Sequence, residues 1–296
     1  MESTKFNEQL KGALFVFFGA MSYGILATIV KYANNLGTHT SVLTFMQFVV
    51  GIIFLVTYAQ IQKKKKPETT PLKTNSKLKL MLFGTTFGMT SIFYYLSLKY
   101  IPVSMGIIML MQSIWMSVVL ESILKKKFPN ALKIIGTLTI FAGTILATNI
   151  LFQETKLDWR GVALGMLAAT SYTISLFASS NIETGSSNYI RSQYLILGGF
   201  IFTICYWNID IITYFVSTDV ILWGALLALF GTIIPPLLFT KGIPLVGIGM
   251  GAIIAAVEIP VSILSAYIIL GERISNWQWV GVLIILISVV LVNKRK

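Results

Sequence analysis

The stretch IIAAVEIPVSIL, residues 253–264, carries the clearest chemistry in the chain. From Gly247 to Leu270, Glu258 is the one side chain expected to be charged at neutral pH. A charge held at the centre of a bilayer costs about 2.5–3.5 kcal/mol on insertion scales. That cost is too large for an uncompensated lipid-facing site, so Glu258 is expected to face the interior of a helix bundle. Three roles are open to it there. It could bind a cationic or amino group of a solute, exchange a proton, or hydrogen-bond a neighbouring helix.

A second set of polar and aromatic side chains sits inside apolar runs: Tyr23, Tyr172, Tyr94, Tyr95, Gln112 and Trp115. A buried tyrosine needs a partner for its hydroxyl. Gln112 and Trp115 are three residues apart and share one helix face. Glu258, Tyr23, Tyr172, Tyr94, Gln112 and Trp115 are therefore the expected lining of a solute cavity, with interhelical hydrogen bonding as the competing role for each. Pro235, Pro236 and Pro260 remove backbone donors and bend their helices, which makes them candidate hinges. Glu121 precedes Lys125 by four residues and reads as an i,i+4 pair at an interface.

These residues need a scaffold, and the composition says which kind. The chain has 296 residues, 55% hydrophobic and only 11% charged, against about 25% charged in a soluble domain. An integral membrane protein follows. Ten apolar runs are long enough to be membrane helices: 12–30, 42–61, 80–98, 102–124, 132–151, 161–180, 189–207, 220–239, 244–270 and 277–292. The period-two alternation of a membrane barrel is absent. With the N-terminus placed in the cytoplasm, 18 Lys and Arg fall on the cytoplasmic side and 5 on the other, so both termini are expected there. The net charge of +12 clusters at the ends of runs, a topological pattern rather than a nucleic-acid stripe. One cysteine, Cys205, and one histidine, His39, make no metal site. No Walker loop, zinc motif or nucleophile elbow appears, so neither a cofactor, ATP drive nor catalysis is expected.

The runs also repeat. GALFVFFGAMSY (12–23) resembles GVALGMLAATSY (161–172), QFVVGIIF (47–54) resembles QYLILGGF (193–200), KYIP (99–102) matches KGIP (241–244), and IGTLTIFAG (135–143) matches VGVLIILIS (280–288). Four matches in the same order at nearly one offset give two five-helix repeats, 1–153 and 154–296. Because five is odd, the second repeat enters the membrane from the opposite face. Tyr23 and Tyr172 then hold equivalent places, Pro102 and Pro244 start the fourth and ninth helices, and the mate of Glu258 is Ser113.

The segment EIPVSILSAYIILGERISNWQWVGVLIILISVVLV (258–292) resembles the closing helix pair of the EamA-type ten-helix branch of the drug/metabolite transporter superfamily, at Glu258, Gly271 and Glu272. Ile259 stands where that family commonly has proline, and Lys126-Lys127 replaces the Gly-Glu pair in the first repeat. The resemblance implies a multi-pass protein of the cell membrane. It also implies a secondary transporter that exports an amino acid, metabolite or drug-like cation by alternating access, with protons as a candidate coupling ion. The alternatives are an uncoupled facilitator or channel and, from another class, a membrane scaffold or enzyme.

Overall fold

The computed structural model describes residues 2–65, 72–101, 103–148, 158–215, 219–271 and 273–294. Pro102, Glu272 and the end of the fifth apolar run lie outside these residues. In chain order the helices are α1 (Glu2–Asn35), α2 (Thr40–Lys65), α3 (Thr74–Ser97), α4 (Val103–Leu110), α5 (Gln112–Lys125), α6 (Ala131–Ala147) and α7 (Trp159–Asn181). They continue with α8 (Asn188–Trp207), α9 (Ile209–Thr213), α10 (Asp219–Leu227), a π-helical turn (Ala228–Ile233), α11 (Ile234–Val246), α12 (Ile248–Ala255), α13 (Glu258–Leu270) and α14 (Asn276–Lys294). No strand occurs among the described residues.

Among the described residues six helical segments are long and apolar enough to cross a membrane: Asn7–Asn35, Thr40–Lys65, Met105–Lys125, Trp159–Asn181, Val220–Val246 and Ile248–Leu270. Ala131–Ala147 and Asn276–Val292 are shorter apolar helices. Leu82, Ile123, Leu138 and Ile268 lie on the outside of the bundle, as lipid-facing side chains would. The core runs between α1, α5, α7, α11, α12 and α14, around Val16, Ala20, Ile114, Leu176, Phe239, Ile253 and Ile285. Caps follow the local sequence: Asn130 accepts from the Leu132 N–H at the start of α6, and Asp158 accepts from the Arg160 N–H at the start of α7.

Three departures from the sequence expectation have backbone causes. Pro244 lies inside α11, not at the head of the ninth run; the boundary is Gly247, whose φ of +88° favours glycine. Pro235 and Pro236 stand at the head of α11 just past the π turn. There the Ile234 N–H reaches back five residues to Leu229. The Phe230 carbonyl would face Pro235, which has no N–H, and it accepts Ser22 Oγ from α1 instead (2.9 Å). Arg191, near the start of the seventh apolar run and one of the 18 Lys and Arg counted on the cytoplasmic side, is 2% exposed. Its guanidinium is spent on backbone carbonyls of α7 and α11.

The spans containing α4–α5 and α12–α13 are each broken near the middle. In the second, Pro260 offers no N–H to the Ala256 carbonyl, and the Ile259 N–H takes it at 3.1 Å. In the first, the Gln112 side-chain amide donates to the Ile108 carbonyl at 3.0 Å, next to a turn at Met111.

Candidate functional site

Glu258 opens α13, directly after the break at Ala256–Val257. Its side chain lines a cavity that α1 also lines. There Gly24 lets the two helices meet: a Cβ on Gly24 would lie 2.7 Å from the Glu258 carbonyl oxygen. Glu258 lines a cavity of about 70 Å³ together with Tyr23, Tyr94, Tyr95, Tyr172 and Ser262. Tyr23 and Tyr172 meet edge to face with ring centroids 6.2 Å apart, and Tyr23 also tilts against Phe239 at 5.7 Å. Tyr94 and Tyr95 lie 6.0 Å apart on α3.

Three buried polar atoms on this one cavity find no protein partner: Glu258 Oε2, Tyr95 Oη and Tyr172 Oη. Buried polar groups are nearly always paired, and those that are not call for an explanation. Three of them converging on one space make an arrangement suited to a polar or cationic group flanked by aromatic faces.

The cavity adjoins a wider vestibule of about 500 Å³, the two sharing Ala27, Tyr95, Ile107 and Ser262 in their walls. The vestibule extends along α1 to the exposed Lys31, Asn34 and Asn35, and across to Arg273 and Gln278. Among the described lining residues its charges are both positive, so the acid lies at the bottom and the bases at the mouth. On the wall Thr28 Oγ1 and Ser265 Oγ share a hydrogen bond of 2.7 Å between α1 and α13.

The structure brings Tyr23, Tyr94 and Tyr172 to Glu258 and leaves Gln112 and Trp115 out of the cavity. Trp115 Nε1 donates to Gln112 Oε1 at 2.9 Å, and Trp115 is 39% exposed on the outer face. Their shared helix face is real, but it turns away from the site. Among the proline candidates only Pro260 adjoins the cavity, through its neighbour Ile259. Sequence reading passed over Thr90, Ser91, Ser175 and Ser262. Ser262 is one helical turn from Glu258 and Ser175 three residues from Tyr172, so helical spacing from the chosen residues was the signal available. His39 stands apart, stacked on Tyr214 with centroids 3.9 Å apart. Burial, reinforced by Lys99, holds its imidazole below the ordinary range.

A family model described as the EamA-like transporter family matches residues 10–149 and again 159–294. The chain belongs to the EamA-like transporter family. The two matches lie end to end over nearly the whole EamA-like chain, which makes it a multi-pass membrane protein of a transporter family rather than of an enzyme family. No curated protein matches it. A solved structure described only as "Crystal structure of protein" shares the fold with a TM-score of 0.80 at 13% identity, over 96% of this chain and 98% of that one.

Proposed function

We propose that the chain is a secondary transporter of a small organic solute, working by alternating access. In this reading ten spans form two inverted repeats, 1–153 and 154–296. Glu258 binds an amino or cationic group or exchanges a proton, and Tyr23, Tyr94 and Tyr172 supply aromatic faces. Pro235, Pro236 and Pro260 mark the places where spans bend. Export across the cell membrane, with both termini in the cytoplasm, follows from the closing helix pair and the Lys-rich face.

The observation that carries this reading is the convergence of Glu258 Oε2, Tyr95 Oη and Tyr172 Oη, unpartnered, on a cavity that shares part of its wall with a wider vestibule. The packing supports the repeat. Under exchange of halves the α1–α11 contact corresponds to α7–α3, and α3–α8 corresponds to α10–α2. The contacts of α1 with α12 and α13 correspond to those of α7 with α4 and α5. The breaks at Met111 and Ala256 are repeat mates, as are the left-handed helix ends at Lys126 and Gly271. Discontinuous spans at a repeat interface are where carriers of this design bind their cargo.

The test is ligand binding by purified protein, with a thermal-shift panel of free amino acids and quaternary ammonium ions. A charge-assisted hydrogen bond contributes about 1.5–3 kcal/mol. Glu258→Gln should therefore weaken any amine ligand by about 10- to 100-fold and flatten the pH dependence of trans-stimulated exchange in proteoliposomes. Equal affinity and an unchanged pH profile in the variant would refute the assignment of Glu258.

A further inference from the structure

At the end of the bundle opposite the vestibule one buried carboxylate ties three helices together, at the floor of a smaller pocket of about 180 Å³ that Lys125 and Lys133 also line. Glu121, on the last turn of α5, is 4% exposed. Its Oε1 accepts from Lys125 Nζ and its Oε2 from Lys133 Nζ, each at 2.5 Å. Oε2 also accepts from the Gly249 backbone N–H at 3.0 Å. These three donors belong to α5, to α6 and to the first turn of α12. The pair expected from sequence is present, but it is one side of a three-helix junction.

The glycines around it have the same cause. The N-cap of α12 is Gly247, which has no side chain to cap the helix, and the Glu121 carboxylate from another helix accepts the Gly249 N–H in its place. A Cβ at Gly249 would lie 2.5 Å from Glu121 Oε2, and one at Gly247 would lie 2.7 Å from Oε1. Above the junction Ser117, Val118, Met250 and Ile253 are buried and continue the packing toward the Glu258 cavity. The repeat mates of Glu121, Lys125 and Lys133, at the offset of 145 that relates the two breaks, are Ala266, Leu270 and Gln278. All three line the open vestibule. The same place in the two halves is thus a charged three-helix junction at one end and an uncharged stretch of the wider vestibule wall at the other.

We propose that Glu121 is the latch of the Lys-rich end. It holds α5, α6 and α12 together in the shape open on the vestibule side, and its release admits the opposite shape. The inference rests on the alternating-access reading. It assigns Glu121 as a positioning residue of the cycle, one that does not touch the solute. The lysines on the carboxylate make the latch stiff: losing the charge leaves two ammonium groups and the α12 cap without their acceptor.

The test reads accessibility, not transport. In a Cys205→Ser background, Ser117→Cys reports on the Lys-rich end and Ala266→Cys on the vestibule, each labelled by a membrane-impermeant thiol reagent from one face of sealed vesicles. Glu121→Gln should raise Ser117→Cys labelling from the Lys-rich face at least about fivefold, in the range of ordinary conformational coupling, and lower Ala266→Cys labelling from the other face. Lys133→Met, which leaves the Lys125 pair in place, should move both rates in the same direction by less and serves if Glu121→Gln does not fold. Unchanged rates in a monodisperse variant would overturn the latch. Rates that do not move while trans-stimulated exchange persists leave the carrier without this latch. Rates that move while exchange is absent from the parent protein sink the transport reading and keep the latch.

Discussion

Arg191 offers the sharpest stability prediction, because its three shortest hydrogen bonds go to carbonyls that have a reason to be vacant, while a longer one, Nη2 to Ala178 at 3.4 Å, shares a carbonyl with the Ile182 N–H. Its Nε donates to the Ile182 carbonyl at 2.8 Å, Nη2 to Ser179 at 2.6 Å, and Nη1 to Thr240 at 2.7 Å. Ser179 and Ile182 lie at the end of α7, where carbonyls have no helical donor. The Thr240 carbonyl is orphaned for another reason: its helical partner would be Pro244, which has no N–H. The guanidinium also sits at the negative end of the α7 dipole, a placement contributing up to about 2 kcal/mol. Replacing Arg191 by Met abandons three buried carbonyls at about 1–3 kcal/mol each, offset by the several kcal/mol no longer spent desolvating the cation. A net loss of about 3 kcal/mol is expected, measured by denaturant unfolding in micelles. Arg191→Lys should recover only part, since an ammonium lacks the planar fork that reaches three carbonyls. Pro244→Ala returns a donor to Thr240, so in that background Arg191→Met should cost about 1 kcal/mol less. A loss under about 1 kcal/mol for Arg191→Met, or strict additivity with Pro244→Ala, would refute the carbonyl account.

Two further expectations concern the repeat mates. Gly271 (φ +67°) and Lys126 (φ +50°) end their helices in the left-handed region, and a Cβ at Gly271 would meet nothing within 4 Å. Gly271→Ala should therefore cost about 1 kcal/mol for conformation alone, and Lys126→Gly should gain about 0.5 kcal/mol after the entropy of the unfolded glycine, both by thermal unfolding. Gln112→Leu removes the amide that serves the Ile108 carbonyl, so stability should fall by about 0.6 kcal/mol. Affinity for any ligand that depends on Glu258 should stay within about twofold; a larger change would return Gln112 to the binding site.

What the sequence made legible was whatever depends on a single helix. Apolar length located six segments long enough to cross a membrane among the ten runs expected, and the cost of a lone carboxylate turned Glu258 inward. Repeat alignment paired Tyr23 with Tyr172, and the two rings meet edge to face with centroids 6.2 Å apart. What failed depends on direction or on distant partners. The spacing of Gln112 and Trp115 fixed that they share a face, not which way it points, and Trp115 is satisfied by Gln112 itself. Arg191 read as an orienting cytoplasmic-side charge because it stands near the start of a run, while the proline that orphans one of its acceptors lies in another helix. Glu121 presented an adequate partner four residues away, and that local sufficiency hid the Gly249 N–H beyond it.

The two broken spans show how one backbone shape can be reached by unlike chemistry. In the first half a glutamine amide stands in at the Ile108 carbonyl. In the second a proline removes the donor, and the neighbouring N–H of Ile259 shifts to fill the place. A side chain that stands in for the backbone is occupied, so Gln112 has little left to offer a ligand. A proline that removes a backbone bond spends no side chain, so the second break can still carry Glu258 into the cavity. The electrostatic one-sidedness of the site therefore follows from how each half bends. A carboxylate on the first half, at Ser113, would face α7, where Thr173 Oγ1 approaches the Ser113 carbonyl at 3.5 Å in a buried contact, with no cavity to receive it.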